Sequence, residues 1–117
     1  MPKIDVSQGP SGECFKNAKE WAWNNDDGNT FVVHGLVTNI ERKTFVHAWV
    51  EQGETVIDPT QGISMNKSRY YELVNASPEV KYTPEQILVN SLRNNHWGPW
   101  TPEEREDRFV SNPREDT

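Results

Sequence analysis

The sequence predicts an α+β domain, in which an N-terminal helix packs on a small antiparallel β-sheet and further helices follow residue 83. Apolar residues at helical spacing indicate a helix within residues 13–24. Runs of β-branched and aromatic residues between positions 30 and 58 indicate strands joined by short turns. We expect one domain over residues 1–110 and a polar, frayed tail at 111–117.

The helices are predicted from periodicity and capping signals. The first extends from Glu13 to about Asn24, and its inward face repeats at spacings of three and four: Cys14, Phe15, Ala18, Trp21 and Ala22. A later helix begins with Thr83 as the cap, Pro84 at the first helical position and Gln86 completing a capping box, and it continues to about Asn94. The same signature at 101–104 predicts a short, polar helix.

Three strands are predicted between these helices, at Thr30–Thr38, Thr44–Glu51 and Glu54–Asp58. Gln52-Gly53 suggests a tight hairpin between the last two strands. The segment Arg69–Val74 fits either a short strand or a helical turn, and the sequence does not decide between them.

The composition describes an acidic chain with a single cysteine. Of 117 residues, 33% are hydrophobic, and the formal net charge is −6. That charge disfavours nucleic-acid phosphates and anionic membranes as partners. No signal peptide or membrane-spanning segment is expected, and the lone Cys14 excludes an internal disulfide framework, so we expect a cytoplasmic protein. One Cys and three scattered His give no ligand spacing, so neither a metal nor another cofactor is expected.

The predicted hairpin places a histidine beside a carboxylate. If Gln52-Gly53 is the two-residue loop, Glu51 faces Glu54, and counting back along both strands sets His47 opposite Asp58. Directly opposed residues share a sheet face with Cβ atoms about 4.5–5.5 Å apart. A carboxylate there can fix the imidazole tautomer and support an imidazolium. A register shifted by two residues leaves the pair diagonal and still able to interact.

Cys14 is the candidate nucleophile, because it lies at the start of the first predicted helix. The amide groups and the dipole of a helix N-terminus favour the reactive thiolate. Alone, a single cysteine is more often a small core residue. The accompanying histidine and aspartate reverse that preference.

The motifs around these residues resemble those of transglutaminase-like and papain-like proteins. Residues 12–18, Gly-Glu-Cys-Phe-Lys-Asn-Ala, look like the nucleophile helix, and residues 47–51 with 56–60 closely resemble the transglutaminase-like signature His-Ala-Trp-Val-Glu followed by Asp-Pro-Thr. The resemblance covers residues 8–62. It implies that Cys14 is the nucleophile, His47 the general base and acid, and Asp58 the orienting carboxylate. Phe15 follows Cys14, where transglutaminases commonly have Trp.

Two further resemblances concern the papain-like proteases. Gln8-Gly9 precedes the cysteine as a Gln-Gly pair does in those enzymes, which implies that Gln8 donates to an oxyanion. Residues 95–98, Asn-His-Trp-Gly, are similar to their Asn-x-Trp-Gly motif. The hairpin nevertheless favours Asp58 as the residue that completes the set with Cys14 and His47. Trp49 shares a sheet face with His47 and is a candidate wall of the substrate cleft, with ordinary core packing as the alternative. His34 is interpreted as structural, with a place in the lining of the cleft as the alternative.

These features favour an acyl-transfer thiol enzyme that acts on a protein, peptide or small amide substrate. An amine acceptor would make it a transferase, and water would make it a peptidase, amidase or deamidase. The alternatives are an acidic binding or inhibitory protein, of a kind that a virus could use, and a structural protein with an incidental cysteine. The oligomeric state is left open.

Overall fold

The computed structural model describes residues 13–96 and 98–100, which form an α+β fold of three helices and one five-stranded antiparallel sheet. The elements in chain order are α1 (Glu13–Asn24), β1 (Thr30–Thr38), β2 (Thr44–Gln52), β3 (Thr55–Asp58), β4 (Ile63–Asn66), α2 (Lys67–Leu73), β5 (Ser77–Tyr82) and α3 (Pro84–Asn94). The sheet order is β4-β3-β2-β1-β5. None of the helices in this described part of the chain is long and apolar enough to cross a membrane.

The predicted first helix and capping box are confirmed. Helix α1 buries Cys14, Phe15, Ala18 and Ala22. At α3, the Thr83 hydroxyl accepts from the backbone N–H of Gln86, and the Gln86 side chain accepts from the backbone N–H of Thr83. This reciprocal arrangement satisfies two amides that would otherwise lack partners at the helix start. The predicted helix at 101–104 and the tail at 111–117 lie outside the described residues.

The β2–β3 hairpin differs from the prediction by two residues in register. The observed pairs are Val50 with Ile57, Glu51 with Val56 and Gln52 with Thr55, so the two-residue loop is Gly53-Glu54. Gly53 adopts φ +58° at the first loop position, a conformation that glycine takes with little cost. The predicted direct opposition of His47 and Asp58 was therefore wrong. Because strand side chains alternate with period two, a two-residue shift keeps both residues on one sheet face.

The second half of the chain adds elements that the sequence left open or missed. The ambiguous segment is helical, because α2 begins after Asn66, whose side chain accepts from the backbone N–H of Ser68. Strands β4 and β5 form the two edges of the sheet and were not predicted. Both edges carry many exposed residues.

The sheet separates two clusters of buried apolar residues. One lies between the sheet and helices α1 and α3, and includes Phe15, Ala18, Ala48, Val50 and Ile87. The other lies against α2 on the opposite face, and includes Val33, Val37, Trp49, Val56 and Tyr70. Successive residues of β2 alternate between these clusters, which is the expected period of a strand buried on both faces.

Candidate active site

His47 and Asp58 form a buried hydrogen-bonded pair on the α2 face of the sheet. The distance between His47 Nε2 and Asp58 Oδ2 is 2.8 Å, and the two side chains are 4% and 0% exposed. The two residues are diagonal neighbours across the hairpin, and the length of the imidazole spans the gap. The pairing of these two side chains thus agrees with the sequence analysis, although the register does not.

Asp58 also accepts hydrogen bonds from two groups besides His47. The phenol of Tyr70 donates to Oδ2 over 2.9 Å, and the backbone N–H of Gln61 donates to Oδ1 over 3.3 Å. A fully buried carboxylate requires such donors, because removal from water is costly without them. Tyr70 was not predicted as a site residue, because the segment that carries it has no decisive pattern.

Cys14 approaches the same imidazole from α1. It is the second residue of that helix and is 3% exposed, and it lies close enough to His47 to act on the pKa of that ring through hydrogen bonding and charge. Because Nε2 is engaged with Asp58, the second ring nitrogen, Nδ1, is left for the sulfur. The start of α1 is also tied to the turn after β3, since Asn17 Nδ2 donates to Thr60 Oγ1 over 3.1 Å.

The protonation of His47 reflects opposing influences. Burial would lower the pKa of His47, but hydrogen bonds with Asp58 and Cys14, and the charges of both, outweigh burial and raise it from 6.5 to about 9. At neutral pH the ring is therefore an imidazolium.

A second buried carboxylate, Glu51, organises the far end of β2. Its Oε2 accepts from Trp49 Nε1 over 3.0 Å and from the phenol of Tyr71. Its Oε1 lies 3.2 Å from Lys81 Nζ and 3.9 Å from Lys67 Nζ. Glu51 is 2% exposed, so these partners compensate its removal from water. The cluster joins β2, β5 and α2.

The remaining predicted site residues are placed as follows. Trp49 is fully buried, its N–H is donated to Glu51, and its ring stacks near that of His47 with centroids 6.4 Å apart. This is the core-packing alternative, and contact of Trp49 with substrate stays a prediction. Gln8 and Trp97 lie outside the described residues, so the proposed oxyanion role of Gln8 stays a prediction too.

His34 lies on the other face of the sheet, among aromatic rings. Its ring centroid is 4.9 Å from that of Phe15, 5.1 Å from that of Tyr82 and 5.3 Å from that of Trp100. A Cβ added to Gly98 would lie 2.7 Å from His34 Cε1, so only glycine fits there. His34 is thus packed as a core residue, in agreement with its structural interpretation.

Two surface cavities are formed by the described residues, away from Cys14, His47 and Asp58. A surface cavity of about 340 Å³ is lined by residues that include Lys19, Ser91 and His96, and another of about 480 Å³ by residues that include Met65 and Arg69. Neither is lined by Cys14, His47 or Asp58. Because Cys14 is nearly inaccessible, a substrate carbonyl can reach Sγ only after neighbouring groups move apart.

Within the described residues, no group of three or more His, Cys, Asp and Glu side chains could hold a metal ion. Comparisons of the chain with protein-family models, with curated proteins and with solved structures find no match. The chemistry of the site is therefore inferred from its own residues. A thiol, an imidazole and a carboxylate linked in this order can activate a nucleophile and relay a proton.

Proposed function

We propose that this chain is a thiol-dependent acyl-transfer enzyme on a transglutaminase-like core, with Cys14, His47 and Asp58 as its catalytic triad. The observation that carries the proposal is the buried hydrogen bond between His47 and Asp58, with Cys14 close enough to the same ring to act on its pKa. An incidental core cysteine needs no such partner. The order of the three residues, on a helix and two adjacent strands, is also the order that the resemblance implies.

In the first half of the reaction, the Cys14 thiolate attacks the carbonyl carbon of an amide or ester. The carbonyl π electrons move to oxygen, and the resulting oxyanion is stabilised by donors near the helix start, where backbone amides lack intrahelical partners. The imidazolium of His47 then gives its Nδ1 proton to the leaving amine. The carbon–nitrogen bond breaks, and a thioester on Cys14 remains.

In the second half, neutral His47 takes a proton from the acceptor as the acceptor attacks the thioester. The carbon–sulfur bond breaks, Cys14 leaves as the thiolate and His47 is again an imidazolium. Asp58 keeps its charge throughout and holds Nε2–H, which fixes the tautomer. A primary amine as acceptor gives transfer, and water gives hydrolysis. We propose a peptide or small amide as the acyl donor.

Acylation of the lone cysteine tests this proposal. We expect p-nitrophenyl acetate to acetylate Cys14 with release of p-nitrophenolate, as followed by absorbance and by mass spectrometry of the intact protein. His47→Gln should slow acetylation by at least about 100-fold, the lower range for loss of a general acid–base group. The matched control is His96→Gln, because His96 is exposed and should not affect the rate. Equal rates in His47→Gln and the unaltered protein would exclude the triad.

The burial of Cys14 favours a second candidate function. A cysteine that is 3% exposed also suits a binding or inhibitory protein that keeps this arrangement without turnover. The two candidates differ in one measurement. If the folded protein is not acetylated at any pH between 6 and 9 while denatured protein is, the binding function is favoured.

A further inference from the structure

Tyr70 shares an acceptor atom with the proposed general base. Both Tyr70 Oη and His47 Nε2 lie within 2.9 Å of Asp58 Oδ2. Tyr70 and Asp58 are each fully buried. Two donors on one carboxylate oxygen restrict rotation of the carboxylate, so Oδ2 is held towards the imidazole. Tyr70 and His47 are thus linked through Asp58.

The phenol of Tyr70 can serve only as a donor in the relevant pH range. Burial, followed by the charge of Asp58, raises the pKa of Tyr70 far above its ordinary value. The proton therefore stays on Oη while His47 titrates. A donor on Oδ2 spreads part of the carboxylate charge, and it thereby moderates the attraction between Asp58 and the imidazolium.

Tyr70 is held by packing against strand β2 and by the backbone of helix α2. The Tyr70 ring packs on Trp49, with centroids 5.6 Å apart, and its carbonyl accepts from the backbone N–H of Val74 over 3.1 Å. The same helix is fastened to the Glu51 cluster through Tyr71. Adjacent tyrosines thus bind the two buried carboxylates of the site region, one each.

We infer that Tyr70 is a positioning residue for acyl transfer, which acts through Asp58 by orienting its carboxylate and limiting how tightly it holds the His47 imidazolium. The inference rests on the proposed function. Among the described residues, the titratable groups that face Asp58 or Tyr70 are His47 from β2, Cys14 from α1 and Tyr71 from α2.

The test compares Tyr70→Phe with Tyr71→Phe. The first variant removes the phenol that donates to Asp58, and the second removes the phenol that donates to Glu51. For each variant, the pH titration of the His47 ring is followed by NMR and the acetylation rate of Cys14 is measured across pH. We expect Tyr70→Phe to raise the midpoint of His47 and to slow acetylation about tenfold, the value of one hydrogen bond to a charged group. Tyr71→Phe should leave both unchanged.

A merely structural role for Tyr70 would lower stability without moving the His47 midpoint, and that result would overturn the inference. Equal shifts in both variants would do the same. If Tyr70→Phe does not fold, 3-fluorotyrosine at position 70 keeps the ring and provides a stronger donor, so the midpoint of His47 should fall instead of rise. The NMR titration needs no turnover. Absence of acetylation together with a shifted midpoint would therefore reject the proposed function and retain the role of Tyr70.

Discussion

Replacement of Asp58 by Asn removes one buried charge at nearly constant shape, and it exchanges one acceptor oxygen for an NH2 donor. The carboxylate contributes both a hydrogen bond and a charge that raise the pKa of His47, whereas burial lowers it. After the substitution only the influence of Cys14 opposes burial. We therefore expect the pKa of His47 to fall from about 9 to its ordinary value of 6.5 or below. That difference corresponds to about 3 kcal/mol of stabilisation of the imidazolium.

The assay is an NMR titration of the histidine Cε1–H resonances from pH 5 to 10. The protein has three histidines, so His47→Gln assigns the signal of interest. Glu54→Gln is the matched control, because it removes one carboxylate from the loop of the same hairpin and Glu54 is exposed. It should leave the curve of His47 in place. If the titration midpoint of His47 in Asp58→Asn lies within about half a pH unit of its value in the unaltered protein, the electrostatic reasoning is refuted.

Three further predictions concern stability. Since the pKa of His47 is higher in the folded than in the unfolded chain, its contribution of about 3 kcal/mol is complete below pH 6.5 and is lost as pH rises through about 9. Urea denaturation at pH 6 and 9.5 should show this decrease, and Asp58→Asn should abolish it. Glu51→Ala should reduce the free energy of unfolding by about 3–5 kcal/mol, because Trp49 and Tyr71 lose their acceptor and two lysines lose their partner; a loss below 1 kcal/mol in urea denaturation would contradict this. Gly35→Ala should prevent stable folding, because its Cβ would lie 2.4 Å from a backbone oxygen of β5. A cooperative thermal transition near that of the unaltered protein would contradict this, since it would show that β1 and β5 move apart at little cost.

Local signals in the sequence were sufficient for the elements that carry Cys14 and His47. The spacing of apolar residues from Glu13 to Asn24 is specific to a helix, and the β-branched runs around Val33 and Val46 are specific to strands. Those signals depend only on neighbours in the chain. They could therefore be interpreted without knowledge of the fold.

The parts that were missed depend on distant contacts. Strands β4 and β5 are short and polar, and β5 contains Pro78, so neither has the composition of a typical strand. Pairing with β3 and β1 determines their conformation. The hydrogen bond from Tyr70 to Asp58 joins two elements through tertiary packing, and no spacing rule in the sequence reports it.

The register error shows why the histidine–aspartate pairing could be predicted when the loop could not. Gly53 prefers the first loop position, which moved the pairing by two residues, but the alternation of side chains preserved the face that His47 and Asp58 share.

The proximity of Cys14 to His47 has a different origin. The last β2–β3 pair is Val50 with Ile57, so the β3 edge of β2 at His47 has no paired residue. The start of α1 is held near the turn that follows β3. At the unpaired edge of β2, Cys14 can therefore reach the His47 ring, which lies on the opposite face of the sheet. We expect any change that extends the β2–β3 ladder towards His47 to close this passage and to separate Cys14 Sγ from the His47 ring.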